Sequence, residues 1–129
     1  MIDFTCDYSE GTHPAILERL VDTNLEQTPG YGEDRYCQAA QEKIRACCGD
    51  VDVHFLVGGT QANLTVIAFL LKPWQGVLCA DTGHINQHET GAIEATGHKV
   101  LSLPSRDGKI TATQVEQAVR EHQADATHE

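Results

Sequence analysis

The residues best suited to chemistry fall in two short stretches, "VGGTQAN" at 57–63 and "DTGHINQHE" at 81–89. In the first, paired glycines close an apolar run, "FLV", and lead straight into "LTVIAFLL". Glycine lets backbone amides approach a ligand closely. The start of a helix adds unpaired N–H groups and the positive end of its dipole. Gly59, Thr60 and Gln61 therefore form a candidate phosphate cradle built from main-chain N–H groups, with the Thr60 hydroxyl adding a bond. No lysine stands in the Walker register and the spacing is not GxGxxG, so a single phosphate fits better than a dinucleotide. The competing reading is structural: a glycine turn chosen for tight strand-to-helix packing, with Thr60 as a helix cap.

The second stretch follows an apolar run ending "LCAD" and carries His84, His88 and Glu89. Imidazole titrates near neutrality, which suits His84 to general-base work at a strand end; a surface histidine at a helix start is the bland alternative. His88 lies four residues on, so the two histidines share a helical face and raise a metal reading. The HExxH pattern is absent and no third ligand is apparent, so no metal is expected. Glu89 can orient His84 or His88, or simply favour a helix N-terminus electrostatically.

The elements that must position these groups are legible in outline. "THPAILERLVDTNLEQ" (12–27) reads as an amphipathic helix with Pro14 in its first turn. "TPGYGEDRY" is a turn-rich loop, and a second helix over about 33–48 stops at Gly49. Alternation then becomes regular. Strands are expected at 52–58, 76–81 and 98–104, and helices at 60–71, 84–97 and 111–123, the last capped by Thr111 or Thr113. The 60–71 helix is apolar almost all round and is expected to be well buried. Strand–helix repetition with short connections implies an α/β fold with a mostly parallel sheet. Three strands make a thin sheet, and the 129 residues read as the front of a longer protein.

Composition narrows the function. Hydrophobic residues make up 40% of the chain, and the formal net charge is −10. Such a surface repels phosphate backbones, so no nucleic-acid partner is expected. No apolar run approaches the roughly 18 residues of a membrane span, and the start does not read as a signal peptide. Five cysteines, an odd number without CxxC spacing, point to free thiols in a reducing cytosol and mostly to structural roles.

"GGTQAN" after an expected strand, with "GYGEDRY" upstream and "DTGHINQHETGA" downstream, resembles the threonine aldolase family over essentially the whole chain. These are pyridoxal 5′-phosphate lyases. The resemblance implies the type I aminotransferase fold, a three-layer α/β/α arrangement, of which residues 15–129 would be the front of the cofactor-binding large domain and 1–14 an arm. It implies that Gly58, Gly59, Thr60 and Gln61 hold the cofactor phosphate and that His84 stacks on the pyridine ring near the reacting bond. Gly58 stands where the family often has Ser or Thr, which removes one hydroxyl contact. His88 stands where an aromatic residue is common, and Glu89 matches a recurrent acid. Tyr31 matches a tyrosine near the active site that is typically contributed across a dimer interface, with packing over its own turn as the alternative. Asp34 follows the same pattern, with helix capping as its alternative. Asp7 aligns with an arm that reaches towards the substrate carboxylate. In that arm Cys6 stands where many members have Ser, and a small insertion bears on any contact from Cys6 or Ser9.

The lysine that carries the cofactor has no match among Lys43, Lys72, Lys99 and Lys109, which read as surface charges. In the family it lies well beyond residue 129, as do the acid paired with the pyridine nitrogen and the arginine that binds the substrate carboxylate. The 129 residues alone cannot complete the catalytic cycle. The expected activity of the complete protein is cleavage of a β-hydroxy-α-amino acid to glycine and an aldehyde. The expected assembly is a cytoplasmic homodimer or homotetramer with shared active sites. A β-eliminating lyase or an aminotransferase is the alternative within the superfamily. Outside it, a non-catalytic α/β module that binds a phosphorylated metabolite or a partner chain remains open.

Overall fold

The computed structural model describes residues 5, 6 and 8–125, which divide into two units, one up to Phe55 and one from Leu56 onward. Asp7 lies outside the described residues.

The first unit is a pair of helices, α1 (Pro14–Thr23) and α2 (Arg35–Cys48). Pro14 opens α1 with its φ already set for a helix, and His13 Nδ1 accepts from the Ala15 N–H. The helix ends at Thr23, short of the expected residue 27, where the Thr23 hydroxyl donates back to the Arg19 carbonyl. Asp34 caps α2 by accepting from the N–H groups of Tyr36 and Cys37, both at 2.9 Å. Gly49, at φ +86, ends it. Between the helices, the Glu26 carboxylate accepts from Arg35 and from the Tyr36 hydroxyl, and the Arg35 guanidinium lies 5.0 Å from the Tyr36 ring centre. The Gln41 and Arg45 side chains then tie the chain beyond α2 by donating to the carbonyls of Val53 and Val51.

The second unit runs α3 (Gly59–Leu70), β1 (Val77–Ala80), α4 (His84–Gln87), a short 3-10 helix (Glu94–Thr96), β2 (Val100–Leu103) and α5 (Ala112–Ala124). β1 and β2 pair in parallel, Val77 against Val100 through Ala80 against Leu103. Gly76 makes their approach possible, since a Cβ there would sit 2.6 Å from the Lys99 carbonyl oxygen. Ile93 is fully buried, and His98 is buried with its Nδ1 3.0 Å from the Gln75 carbonyl oxygen. α5 begins in a closed capping box. Thr111 Oγ1 accepts from the Gln114 N–H, and the Gln114 side chain accepts from the Thr111 N–H.

Three expectations need correction. The 52–58 run is not a strand, because inter-strand hydrogen bonds make a strand and none is formed there among the described residues. The α3 helix is not well buried: Val66, Phe69 and Leu70 are exposed, since an apolar surface all round needs cover on every side and these residues receive little. The 84–97 helix breaks after Gln87, where Thr90 (φ +54) and Gly91 (φ +73) turn the chain through left-handed backbone, and a 3-10 turn then ends at Gly97.

Candidate active site

The site is built at the carboxyl end of β1. Asp81, the next residue, fixes the loop that follows. Its Oδ1 accepts from the Thr82 and Ser105 N–H groups at 2.9 and 3.1 Å and from the Ser105 hydroxyl. Its carbonyl oxygen accepts from the side-chain amides of Asn86 and Gln87, both at 2.8 Å. The Ser105 hydroxyl, followed by the backbone N–H donors, holds the Asp81 carboxyl below its usual range despite partial desolvation. Gly83 packs against the strand it leaves: a Cβ there would lie 2.9 Å from the Ala80 carbonyl oxygen and 3.3 Å from Cys79 Cβ. In β1 itself, burial and then the nearby Asp81 and Glu94 carboxylates push the Cys79 thiol up, so it stays protonated and inert.

His84 therefore starts α4 from a clamped loop. Its side chain is 61% exposed, while that of Glu89 is fully buried. His84 Nδ1 lies 2.8 Å from Glu89 Oε1, and the same oxygen accepts from Asn63 Nδ2 at 2.6 Å. Glu89 Oε2 is buried and has no hydrogen-bond partner. The His88 ring is exposed and sits 5.4 Å from the His84 ring, tilted by 52°. Glu89 thus faces His84, not a helix N-terminus.

Asn63 belongs to α3, one helical turn beyond Gly59 on the same face. The two stretches singled out from sequence are therefore joined by one side-chain hydrogen bond, Asn63 to Glu89. The sequence reading passed over Asn63. The available signal was its i, i+4 spacing from the second glycine of the cradle, but its partner lies 26 residues away.

The start of α3 has the features of an anion cradle. Gly58, not Thr60, is the N-cap, and no side chain caps the helix. The first intrahelical bond is donated by the Ala62 N–H to the Gly58 carbonyl oxygen, so the N–H groups of Gly59, Thr60 and Gln61 have no partner in the helix. A Cβ on Gly58 or Gly59 would meet nothing within 4 Å, so neither glycine is kept for close packing. The Gln61 side chain is engaged in bracing the loop, its Oε1 accepting from the Val57 N–H at 2.8 Å. The donor set suits a phosphate: several N–H groups at the positive end of a twelve-residue helix.

The remaining candidates lie in the first unit. Tyr31 stands fully exposed at φ +62 between Gly30 and Gly32. Its ring does not pack over its own turn, which corrects that alternative. Asp34 is the cap of α2. The Cys37 thiol, then the Cys37 and Tyr36 N–H groups, hold its carboxyl below the usual range. Ser9 donates its hydroxyl to the Cys6 carbonyl at 3.3 Å. A groove of about 880 Å³ between β2 and α5, lined by Trp74, Leu78, Leu101, Leu103 and Val119, contains none of the candidate site residues. No helix among the described residues is long and apolar enough to cross a membrane.

Comparison with known proteins bears on the family and the fold. A solved structure described as an initial analysis of Leishmania major threonine aldolase superposes with a TM-score of 0.87 at 44% identity, covering 95% of this chain and 36% of that one. Low specificity L-threonine aldolase from a Pseudomonas species is 28% identical over 123 residues, 93% of this chain and 36% of the relative. The Pseudomonas aeruginosa enzyme of the same name is 29% identical over 115 residues, 87% of this chain and 33% of its own. The chain spans about a third of the length of the curated relatives it matches. The α/β class with a parallel sheet holds, and residues 3–129 match the beta-eliminating lyases. This chain belongs to the beta-eliminating lyase family.

Proposed function

We propose that these residues are the front of a pyridoxal 5′-phosphate-dependent lyase that cleaves a β-hydroxy-α-amino acid, such as threonine, to glycine and an aldehyde. The observation that carries this reading is the Asn63–Glu89 hydrogen bond, which ties the helix of the candidate phosphate cradle to the carboxylate facing His84. When bound, the cofactor supplies an electron sink for the bond broken beside the amino group.

The chain's own residues do the rest. The N–H groups of Gly59, Thr60 and Gln61, with Gly58 contributing no side chain before them, hold the phosphate. The exposed side chain of His84 would hold the cofactor ring, and its Nε2 would hold or move a proton at the substrate. Asp81 keeps the loop that carries His84 from shifting. His88, beside His84, borders the substrate space.

In the same reading Asp7 and Ser9 lie on an arm, residues 1–14, that reaches the substrate, and residues 15–129 open the large domain. Tyr31, with Asp34 anchoring the helix behind it, serves the active site of a partner subunit in a cytoplasmic homodimer or homotetramer. The full exposure of Tyr31 on a strained turn supports a role outside its own packing. The lysine that carries the cofactor belongs to the two thirds of the relatives' length that these residues do not span.

The test is full-length protein with pyridoxal phosphate, assayed for glycine and acetaldehyde from threonine, with wild type beside His84→Asn. Stoichiometric products from wild type, falling at least about 100-fold in the variant, support the reading. 2-Oxobutyrate with free ammonia in place of glycine would replace it with β-elimination, the reaction after which the family is described, and 3-hydroxy-2-oxobutyrate without free ammonia would replace it with transamination.

A further inference from the structure

We propose that Asn63 and Glu89 are positioning residues that hold His84 as its Nδ1–H tautomer, leaving Nε2 as the nitrogen that exchanges a proton with the substrate. This rests on the lyase reading for its purpose, though not for its geometry.

The argument is one of donors and acceptors. The side-chain amide nitrogen of Asn63 carries two hydrogens and no lone pair, so it can only donate. Its 2.6 Å contact makes Glu89 Oε1 an acceptor. Oε1 also faces His84 Nδ1 at 2.8 Å. An acceptor oxygen there requires Nδ1 to bring the hydrogen, and a neutral imidazole with Nδ1–H presents a bare lone pair at Nε2.

The assignment takes Glu89 as a carboxylate. A carboxylate accepts at both oxygens. Burial makes the arrangement rigid: the Glu89 side chain is fully out of solvent, so water does not compete for Oε1. His84, by contrast, is 61% exposed, and its open side is where a substrate proton arrives. The unpartnered Oε2 fits the same role. A buried carboxyl group with an unsatisfied oxygen is costly, and this one is in place to offset the charge His84 takes up on accepting a proton. His88 lies beside His84 without entering this chain of bonds.

The measurement is the tautomer itself, in cofactor-free full-length protein carrying 15N-labelled histidine. His84 is assigned by the signals that vanish in His84→Asn, at a pH high enough to keep imidazoles neutral. In wild type, long-range 15N–1H correlations should show Nδ1 protonated and Nε2 bare in nearly all molecules. Glu89→Ala should move most of the population to the Nε2–H form that an unconstrained histidine prefers, and Asn63→Ala, which frees the carboxylate to turn away from His84, should move a smaller part of it. Glu89→Gln, whose amide oxygen can take both bonds, should restore Nδ1–H. Amide shifts of 77–80 and 100–103 report whether each variant keeps the β1–β2 pairing. An Nε2–H wild type overturns the proposal whether or not any variant folds, and so does an unchanged tautomer in a folded Glu89→Ala. Because no cofactor or substrate is present, a correct tautomer in a protein that fails to cleave threonine would count against the lyase reading alone.

Discussion

Two helix starts in the second unit make opposite use of the same orphan N–H groups. At α5, Thr111 and Gln114 accept each other's backbone hydrogens, and the helix end is closed by its own side chains. At α3, Gly58 contributes no side chain, and three N–H groups have no partner in the helix. Threonine and glutamine occur in both places, yet Gln61 reaches back to Val57 where Gln114 reaches its cap. A closed helix start is structural; an open one at the positive end of a dipole is free to receive an anion.

The comparison can be broken most sharply by closing α3. Gly58→Asp, at an extended residue any side chain can adopt, places a carboxylate cap where none exists. In full-length protein, pyridoxal phosphate affinity should fall about 100-fold through charge repulsion and loss of free donors, while urea stability stays level or rises by a few tenths of a kcal/mol. Unchanged affinity in equilibrium titration would mean that the open start has no anion to hold.

The next largest effect separates glycines kept for packing from those kept for approach. Gly83→Ala meets the Ala80 carbonyl oxygen and should cost about 1–3 kcal/mol in chemical unfolding. Gly59→Ala meets nothing and should not destabilise the fold. Equal stability of the two variants would erase that distinction.

Smaller still, Thr111→Ala should cost about 1 kcal/mol and leave cofactor affinity unchanged, since it opens a start that serves no ligand. Smallest is the acid response of the Asp81 clamp. Its carboxyl is held below the ordinary 3.8, so its stabilisation is complete above that value and is lost as pH falls through the lower folded-state value. Amide exchange at Thr82 and Ser105 should quicken only in that acidic window, and Asp81→Ala should quicken it at neutral pH as well.

Much of this was legible along the chain. The glycine pair, the Thr111 cap, Pro14 opening α1 and the histidine after "LCAD" are local features whose physics acts within a few residues, and they stand where the spacing put them. "VHFLV" and "VLCA" show the limit. Both are apolar and β-prone, but Val77–Ala80 has β2 beside it and becomes a strand, while 53–57 has no partner strand among the described residues and does not. The 84–97 stretch failed for a local reason that was easy to undervalue: Thr90 and Gly91 take positive φ and end a helix that periodicity would have continued.

By itself, then, the sequence determined the local features from which the candidate site is built. A glycine-opened helix, a strand-end histidine and an acid five residues later follow from residue type and short spacing alone. The tertiary structure alone decided that the acid is buried, that its Oε1 serves His84, and that Asn63, 26 residues earlier, is its second donor. Which side chain satisfies a buried oxygen depends on what folding brings within about 3 Å, and no spacing along a chain encodes that distance.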